Sequence, residues 1–211
     1  MDPHSTCTWS TSEVIIASDY KPGGTGIVSC GATARRIKRS GFDKLGRWSW
    51  QLLSGESNRE VLIVSVYQCC QTYDNPNAKS TAYLQQKILL SEQNRPNLDP
   101  RTNFRKDLIE LIQSFRDNNH TVIPIIVGDW NEECTDESTA DALCSEFGLV
   151  NIFDITHPEH PSFKTYKRGS KTIDYAIAPP DIAERVTNFV YEPFLYRFKG
   201  DHRAFYFDIS E

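Results

Sequence analysis

The sequence lacks the features that mark membrane-spanning, secreted and zinc-binding proteins. No apolar run approaches the length of a membrane span, and the mean hydropathy is −0.48. The N-terminal residues contain neither the basic nor the apolar segment of a signal peptide. The six cysteines are scattered without a C-x-x-C pair, so reduced thiols are favoured over a disulfide framework or a zinc site. We therefore expect an intracellular protein, nuclear or cytoplasmic, with no membrane partner.

A strong positive charge is also missing. The net charge is −5, so any contact with nucleic acid has to come from local basic patches. The length of 211 residues, with 39% apolar and 24% charged residues, is typical of one globular domain with a full core. We predict a single domain over residues 1–211 that acts as a monomer and has an irregular start at residues 1–22.

The strongest local signal is the stretch TVIPIIVGDWNEE at residues 121–133. Residues 122–127 are almost continuously apolar and β-branched, which is typical of a strand buried on both faces. If the chain is still extended beyond it, Asp129 and Asn131 point to the same side and Trp130 turns away. The alternative is a structural one, in which an Asp-Trp-Asn turn simply ends the strand.

Apolar periodicity elsewhere predicts an α/β protein. Further strands are expected at residues 26–30, 46–53, 61–67, 173–177 and 203–209. Helices are expected at residues 80–93, at 100–117 with Asp99 as N-cap, and at 138–147 with Gly148 as the closing residue. Because turn residues separate the first three of these strands, they should be antiparallel neighbours.

Two of these elements carry a prediction about burial. The strand at 46–53 alternates and should be half-buried, with one side formed by Trp48, Trp50 and Leu52. The helix at 80–93 should turn three apolar side chains inward, namely Leu84, Ile88 and Leu89.

Cations are concentrated in two places. Residues 35–39 contain four cations, and a hairpin predicted over residues 164–173 carries Lys164, Lys167, Arg168 and Lys171. A solvated surface is the structural interpretation of such a run, and a phosphate-facing patch is the functional one.

Polar groups capable of chemistry follow or interrupt four predicted strands. They are Tyr67, Asp129 with Asn131, Asp174, and Asp201 with His202. Singly, each has a structural alternative, such as an amphipathic strand end, a partner for Lys171 or a turn. Together they suit phosphodiester cleavage, which uses carboxylates for a hard divalent cation and for water, an imidazole, and donors to phosphoryl oxygens.

Four segments resemble motifs of the endonuclease/exonuclease/phosphatase superfamily, in the same order along the chain. They are VSVY (64–67), VGDWNEE (127–133), TIDYAIA (172–178) and GDHRAFYFDI (200–209). The group includes exonuclease III-type abasic-site nucleases, deoxyribonuclease I, retroelement endonucleases and inositol polyphosphate phosphatases. The match covers about residues 23–209, and it implies a four-layered α/β sandwich of two mainly antiparallel sheets flanked by helices.

The resemblance also implies roles for the motif residues. Asp129 matches the water-orienting carboxylate, and Asn131 matches the amide that holds nucleophile and phosphate. Asp174 matches the carboxylate that pairs with the catalytic imidazole, here His202. Tyr67 matches a phenol near the scissile phosphate.

The implied metal site is matched only in part. Asp201 matches an acidic position that supports the metal, Mg²⁺ or Mn²⁺. The family's strand-borne asparagine and its metal-binding glutamate have no counterpart before the turn at Gly23 and Gly24, since Glu13 lies on an irregular stretch close to that turn. We therefore expect an N-terminally incomplete copy of the fold.

The expected function is a divalent-metal-dependent phosphodiester hydrolase, an endonuclease-type domain that acts on nucleic acid, with DNA favoured over RNA. Two alternatives stay open at this point. In the first alternative, the chain is a catalytically inactive, N-terminally truncated remnant of such a nuclease. In the second, it is a phosphoinositide-type phosphatase of the same superfamily.

Overall fold

The computed structural model describes residues 5–11, 23–70, 81–160, 163–197 and 199–210. The chain divides into two compact units, Met1–Ile123 and Pro124–Glu211. The strands of the described residues are β1 Thr6–Ser10, β2 Thr25–Ser29, β3 Ile37–Phe42, β4 Trp48–Ser54, β5 Glu60–Tyr67, β6 Val122–Asp129, β7 Val150–Asn151, β8 Asp174–Ala178, β9 Val186–Tyr191 and β10 Phe205–Ile209. The helices are α1 Gly31–Arg35, α2 Ala82–Glu92, α3 Pro100–Asn118, α4 Thr139–Phe147, α5 Ile152–Thr156 and α6 Pro180–Ala183. The predicted α/β class is confirmed. Over the described ranges, no helix combines the length and apolarity needed to cross a membrane.

The first unit is built on antiparallel strands. Strand β4 pairs with β3 on one side and with β5 on the other, and β1 pairs with β2. The predicted antiparallel pairing of the first three strands is confirmed for β4 and β5, but it is wrong for the strand at 26–30, since β2 pairs with β1 instead. Strand β1, in contrast, lies within the stretch that we expected to be irregular. Residues 12–22, which include Glu13, lie outside the described residues.

Strand β4 is buried on both faces, so the prediction of a half-buried strand is wrong. On one face, the ring of Trp48 lies 5.8 Å from that of Phe104 in α3. On the other face, Ser29 Oγ donates to Gln51 Oε1 at 2.6 Å, and Gln51 Nε2 donates to Thr8 Oγ1 at 3.0 Å. Alternation in a sequence shows which side chains are polar. It does not show which are exposed, because a polar side chain can be buried where neighbouring strands satisfy its hydrogen bonds.

Helix α3 matches its prediction closely. The carboxylate of Asp99 accepts hydrogen bonds from the backbone N–H groups of Arg101 and Thr102 at 3.0 and 2.9 Å. These donors have no partner within the helix, so the cap stabilises the first turn. The buried apolar stripe consists of Phe104, Leu108, Ile112 and Phe115.

Helix α2 has the predicted extent but buries a different face. Its buried side chains are Ala82, Gln85, Gln86 and Leu90, whereas Ile88 is exposed. The Oε1 atom of Gln86 accepts a hydrogen bond from Cys69 Sγ at 3.6 Å. Apolar spacing failed to predict the face because this helix buries two amides that polarity alone would assign to solvent.

The basic run at residues 35–39 lies on the surface of the first unit. Lys38 forms an ion pair with Glu60, and Arg36 Nε donates to the carbonyl oxygen of Ser54 at 2.8 Å. The partners lie in the same unit, which favours the structural interpretation of this run.

In the second unit, β8 pairs antiparallel with β6 and with β7. All five residues of β8 are buried. Helix α4 begins after its N-cap Ser138 and ends at Gly148, whose φ of 66° is readily adopted by glycine, as predicted. Strands β9 and β10 form a further antiparallel pair, and Phe153 of α5 packs its ring 5.6 Å from that of Phe189 in β9.

Replacing Asp99 with alanine tests the cap of α3. The variant loses the acceptor for two backbone N–H groups, so we expect the free energy of unfolding to fall by about 1 kcal/mol. Urea denaturation at neutral pH measures the change. The matched control is Asp117→Ala, because Asp117 is an exposed aspartate near the other end of the same helix. Equal losses in the two variants would contradict the capping role.

Candidate active site

Two carboxylates face each other across the pairing of β6 and β8. Strand β6 ends at Asp129, β8 begins at Asp174, and the antiparallel register places the two residues opposite each other. Asp174 is only 7% exposed, and the side chain of Asp129 is 19% exposed. Like charges directly opposite each other are destabilising, so this pairing needs a compensating positive group.

The chain turns sharply after Asp129. Asn131 has a φ of 50°, so the prediction that an extended chain aligns Asp129 with Asn131 is wrong. The two side chains meet nevertheless, because the backbone N–H of Asn131 donates to Asp129 Oδ1 at 3.0 Å and its Nδ2 donates to Oδ2 at 3.2 Å. Trp130, which lies between them in sequence, is fully buried. Its ring stacks on that of Tyr175 with 5.4 Å between the centroids. The buried indole therefore anchors the turn that carries the two polar groups.

A pairing of two loops positions His202. The backbone N–H of Lys167 donates to the carbonyl oxygen of Asp201 at 2.7 Å, and that of Arg203 donates to the carbonyl oxygen of Thr165 at 2.8 Å. Tyr166 and His202 form an antiparallel bridge between these contacts.

The predicted hairpin over residues 164–173 is therefore only partly correct. Thr165 N–H does donate to the carbonyl oxygen of Lys171 at 3.1 Å, but the first arm of the loop also pairs with residues 201–203. Lys171 lies 3.5 Å from Glu133, so the structural alternative that made it the partner of Asp174 is wrong.

The imidazole of His202 lies between the two carboxylates. Its Nδ1 is 3.0 and 2.9 Å from the two carboxylate oxygens of Asp174. Its Nε2 is 4.0 Å from Asp129 Oδ2. The structure thus brings together three of the residues that the sequence analysis singled out, and a fourth, Asn131, is bonded to Asp129.

The charges of the cluster are strongly coupled. Burial, followed by repulsion from Asp174, raises the pKa of Asp129 to about 7. The hydrogen bond to Asp174 raises the pKa of His202 above its ordinary value, against the effect of burial, and the charges of Asp174, Asp129 and Asp201 act in the same direction. Near neutral pH the site therefore holds a carboxyl group that can accept or release a proton beside an imidazole that favours its charged form.

Several positioning residues were not anticipated from the sequence. Tyr191 donates its hydroxyl hydrogen to the carbonyl oxygen of Asp174 at 2.7 Å, and Thr165 Oγ1 accepts from the N–H of Asp174 at 3.1 Å. The ring of Tyr166 lies 4.9 Å from the imidazole of His202. The alternating sequence of β9 contains a strand signal that would have located Tyr191, whereas nothing local marks Thr165.

The remaining candidates lie outside this cluster or in the other unit. Asp201 is exposed beside His202, and the structure fixes its backbone carbonyl rather than its carboxylate. Tyr67 ends β5 in the first unit, where its N–H donates to the carbonyl oxygen of Arg47 at 2.8 Å. The roles that the sequence predicted for Asp201 and Tyr67 therefore stay predictions.

The donor set is compatible with a divalent cation. The candidate ligand atoms of Asp129, Asp174 and His202 all lie within 4.8 Å of one another. Both oxygens of Asp174 lie at hydrogen-bonding distance from His202 Nδ1, and both oxygens of Asp129 accept hydrogen bonds from Asn131, so a cation would use the lone pairs that remain on these oxygens. With the imidazole charged and both carboxylates ionised, the cluster keeps one net negative charge, which suits a hard cation.

No protein-family model matches the sequence, and neither does any curated protein. The fold, in contrast, is similar to solved structures. The 3′ phosphatase NExo from Neisseria, bound to product DNA hairpin, has a TM-score of 0.62 at 16% identity, over 99% of this chain and 80% of that chain. An AP endonuclease from Archaeoglobus fulgidus has a TM-score of 0.58 at 14% identity, over 98% and 90% of the two chains. An endonuclease/exonuclease/phosphatase family protein from Leptotrichia buccalis C-1013-b has a TM-score of 0.52 at 14% identity, over 98% and 71%.

The chain therefore has the fold of the endonuclease/exonuclease/phosphatase proteins. The resemblance that the motifs predicted is confirmed at the level of the fold.

The raised pKa of Asp129 predicts a pH-dependent cost in stability. From its ordinary value of about 4 up to about 7, the folded protein binds this proton more tightly than the unfolded chain, so stability falls as the pH rises through that window. Asp129→Asn removes the charge and should raise the free energy of unfolding by about 1–3 kcal/mol at pH 8.

Urea denaturation in EDTA measures the free energy of unfolding of the parent and of Asp129→Asn, at low pH and at pH 8. At low pH, where Asp129 is already protonated, the gain should shrink. Asp181→Asn is the matched control, since Asp181 is an exposed aspartate of the same unit. A gain that is equal at both pH values, or that appears in the control, would contradict the buried repulsion.

Proposed function

We propose that this chain is a divalent-metal-dependent phosphodiester hydrolase that cleaves nucleic acid internally, with DNA as the favoured substrate. The observation that carries the proposal is the cluster of Asp129, Asp174 and His202. It places a carboxyl group whose pKa is near neutral, Asp129, 4.0 Å from an imidazole that Asp174 orients, and these are groups that in-line hydrolysis of a phosphodiester can use.

Asp129 is assigned to the water. Its pKa of about 7 matches the operating pH, which is the condition under which a general base is most effective. The backbone turn and the amide of Asn131 fix the orientation of the carboxylate. In this role Asp129 orients a water molecule and accepts its proton as the new bond to phosphorus forms.

His202 is assigned to the phosphoryl oxygens. Asp174 holds Nδ1 and favours the charged imidazole, which leaves the N–H at Nε2 free to donate toward a non-bridging oxygen. Asp174 is a positioning residue in this scheme, because its oxygens contact the imidazole rather than the substrate. The side-chain amide of Asn131 adds a second donor near the same oxygens.

Asp201, exposed beside the cluster, would hold the cation, with water and substrate phosphate completing its coordination. When bound, Mg²⁺ or Mn²⁺ supplies positive charge against the charge that develops on the phosphoryl oxygens. The carboxylate chemistry of the cluster, and its residual negative charge, support this assignment.

Nucleic acid is favoured over a small phosphate ester because cations lie on a loop next to the site. Lys164, Lys167 and Arg168 lie on the loop that pairs with residues 201–203, the segment that carries His202. The Neisseria NExo structure is bound to a DNA hairpin, and the Archaeoglobus fulgidus neighbour is an AP endonuclease. Both support DNA as the substrate proposed for this chain.

Plasmid nicking tests the proposal. We expect the purified chain to convert supercoiled DNA to the nicked form in Mg²⁺ or Mn²⁺ and to lose this activity in EDTA. Asp129→Asn and His202→Ala should each lower the rate by about 10²–10⁴-fold, because each removes a group that acts in the transition state. Asp181→Asn serves as the control for an aspartate outside the cluster.

The outcomes separate the alternatives. Nicking that persists in both site variants would point to a contaminating nuclease and contradict the assignment. A parent that folds cooperatively but nicks nothing would favour the inactive remnant. Release of phosphate from a soluble inositol polyphosphate, without nicking, would favour the phosphatase.

A further inference from the structure

A groove of about 910 Å³ lies beside the candidate site. It is lined by Lys167, Arg168, Leu195, Lys199, Gly200 and Asp201, and Asp201 is the neighbour of His202 in sequence. The volume falls in the range of pockets that hold a molecule the size of a nucleotide. None of the groups of this groove was assigned a part in the chemistry except Asp201.

Two large, exposed side chains follow each other in the loop that borders the groove. Leu195, which lines the groove, is 54% exposed, and Tyr196, its neighbour in sequence, is 68% exposed, with the guanidinium carbon of Arg197 5.9 Å from its ring centroid. Leu195 also has a φ of 63°, an unfavourable conformation for a residue with a branched side chain. Backbone strain of this kind clusters at ligand-binding sites, where the surrounding structure holds it in place.

The residue that precedes them holds the loop in place. The ring of Phe194 lies 4.6 Å from the guanidinium carbon of Arg203 and 5.8 Å from Lys164 Nζ. These cation–π contacts anchor one aromatic side chain against residues next to the site. Leu195 and Tyr196 are consequently presented from an anchored loop.

The cations of the groove are unmatched. Lys167, Arg168 and Lys199 form no ion pair with any residue that the structure describes. Nearby cations differ in this respect, since Lys171 lies 3.5 Å from Glu133 and Arg197 lies 3.5 Å from Glu192. Three unmatched cations beside an exposed tyrosine are complementary to a ligand that carries both phosphate groups and an aromatic base.

We propose that this groove binds an unpaired nucleotide of the substrate next to the cleaved phosphodiester, with its base stacked on Tyr196 and packed near Leu195. Lys167, Arg168 and Lys199 contact the flanking phosphates. The position next to the cleaved bond rests on the proposed function. A base inside a duplex is already stacked on its neighbours, so an aromatic platform of this kind selects substrates with an unstacked nucleotide, such as a single strand or a gap.

Binding to a short fluorescein-labelled single-stranded DNA, followed by fluorescence anisotropy in EDTA, tests the groove without cleavage. Tyr196→Ala should raise the Kd by about 5- to 100-fold, because it removes the stacking surface. Tyr196→Phe keeps the ring and should bind as the parent does. Tyr206→Ala is the matched control, since Tyr206 is an exposed tyrosine in β10 whose neighbours in sequence do not line the groove, whereas Leu195 next to Tyr196 does.

The phosphate contacts are tested by salt dependence. Lys199→Ala should lower the slope of log Kd against log salt by about 1, whereas Arg185→Ala, a substitution of an exposed cation of the same unit, should leave it unchanged. The same DNA in duplex form should bind more weakly than the single strand and respond less to Tyr196→Ala.

Equal binding by the parent and Tyr196→Ala, or no binding by the parent, would overturn the groove assignment. The failure of the proposed function is distinguishable from these results. If the parent nicks plasmid but Tyr196→Ala binds single strands normally, the hydrolase stands and the groove does not. If binding depends on Tyr196 and no DNA is ever cleaved, the nucleotide groove stands and the hydrolase does not.

Discussion

The repulsion between two carboxylates is the constraint on which the second unit depends. The register of β6 and β8 fixes Asp129 opposite Asp174, in a place where water can screen neither charge fully. The imidazole of His202 offsets this repulsion from a position between them. The pairing of residues 165–167 with residues 201–203 places the imidazole in that position. Two loops that lie apart in sequence therefore come together where a positive group is needed to offset the repulsion.

Buried contacts hold the residues of the cluster in place. The indole of Trp130 is buried under the turn that orients Asp129, and hydrogen bonds from Tyr191 and to Thr165 hold the backbone of Asp174. Asp201 and the loop cations are exposed at the rim of the cluster. A destabilising pair of charges can persist in such a frame because buried apolar contacts over-determine its geometry.

Much of this arrangement follows from the sequence, and the exceptions have physical causes. Periodicity and capping rules located β6, α3 and α4, since apolar runs and cap residues act locally. The same rules failed for β4 and α2 because both bury amide side chains, and the partners that satisfy Gln51 in β4 are not visible in any local pattern. The site was predictable as a set of residues from motif order, but the register of β6 with β8 and the role of Thr165 depend on pairing between distant segments.

The pKa of His202, measured by NMR titration of the metal-free protein, tests the electrostatic unit most directly. The account predicts a value above the ordinary one in the parent, because a hydrogen bond and three negative charges favour the imidazolium. It predicts a clear decrease in Asp174→Asn, which removes the hydrogen-bonded carboxylate, and a smaller decrease in Asp129→Asn, whose carboxylate is 4.0 Å away. A His202 pKa that is unchanged by Asp174→Asn would contradict the account.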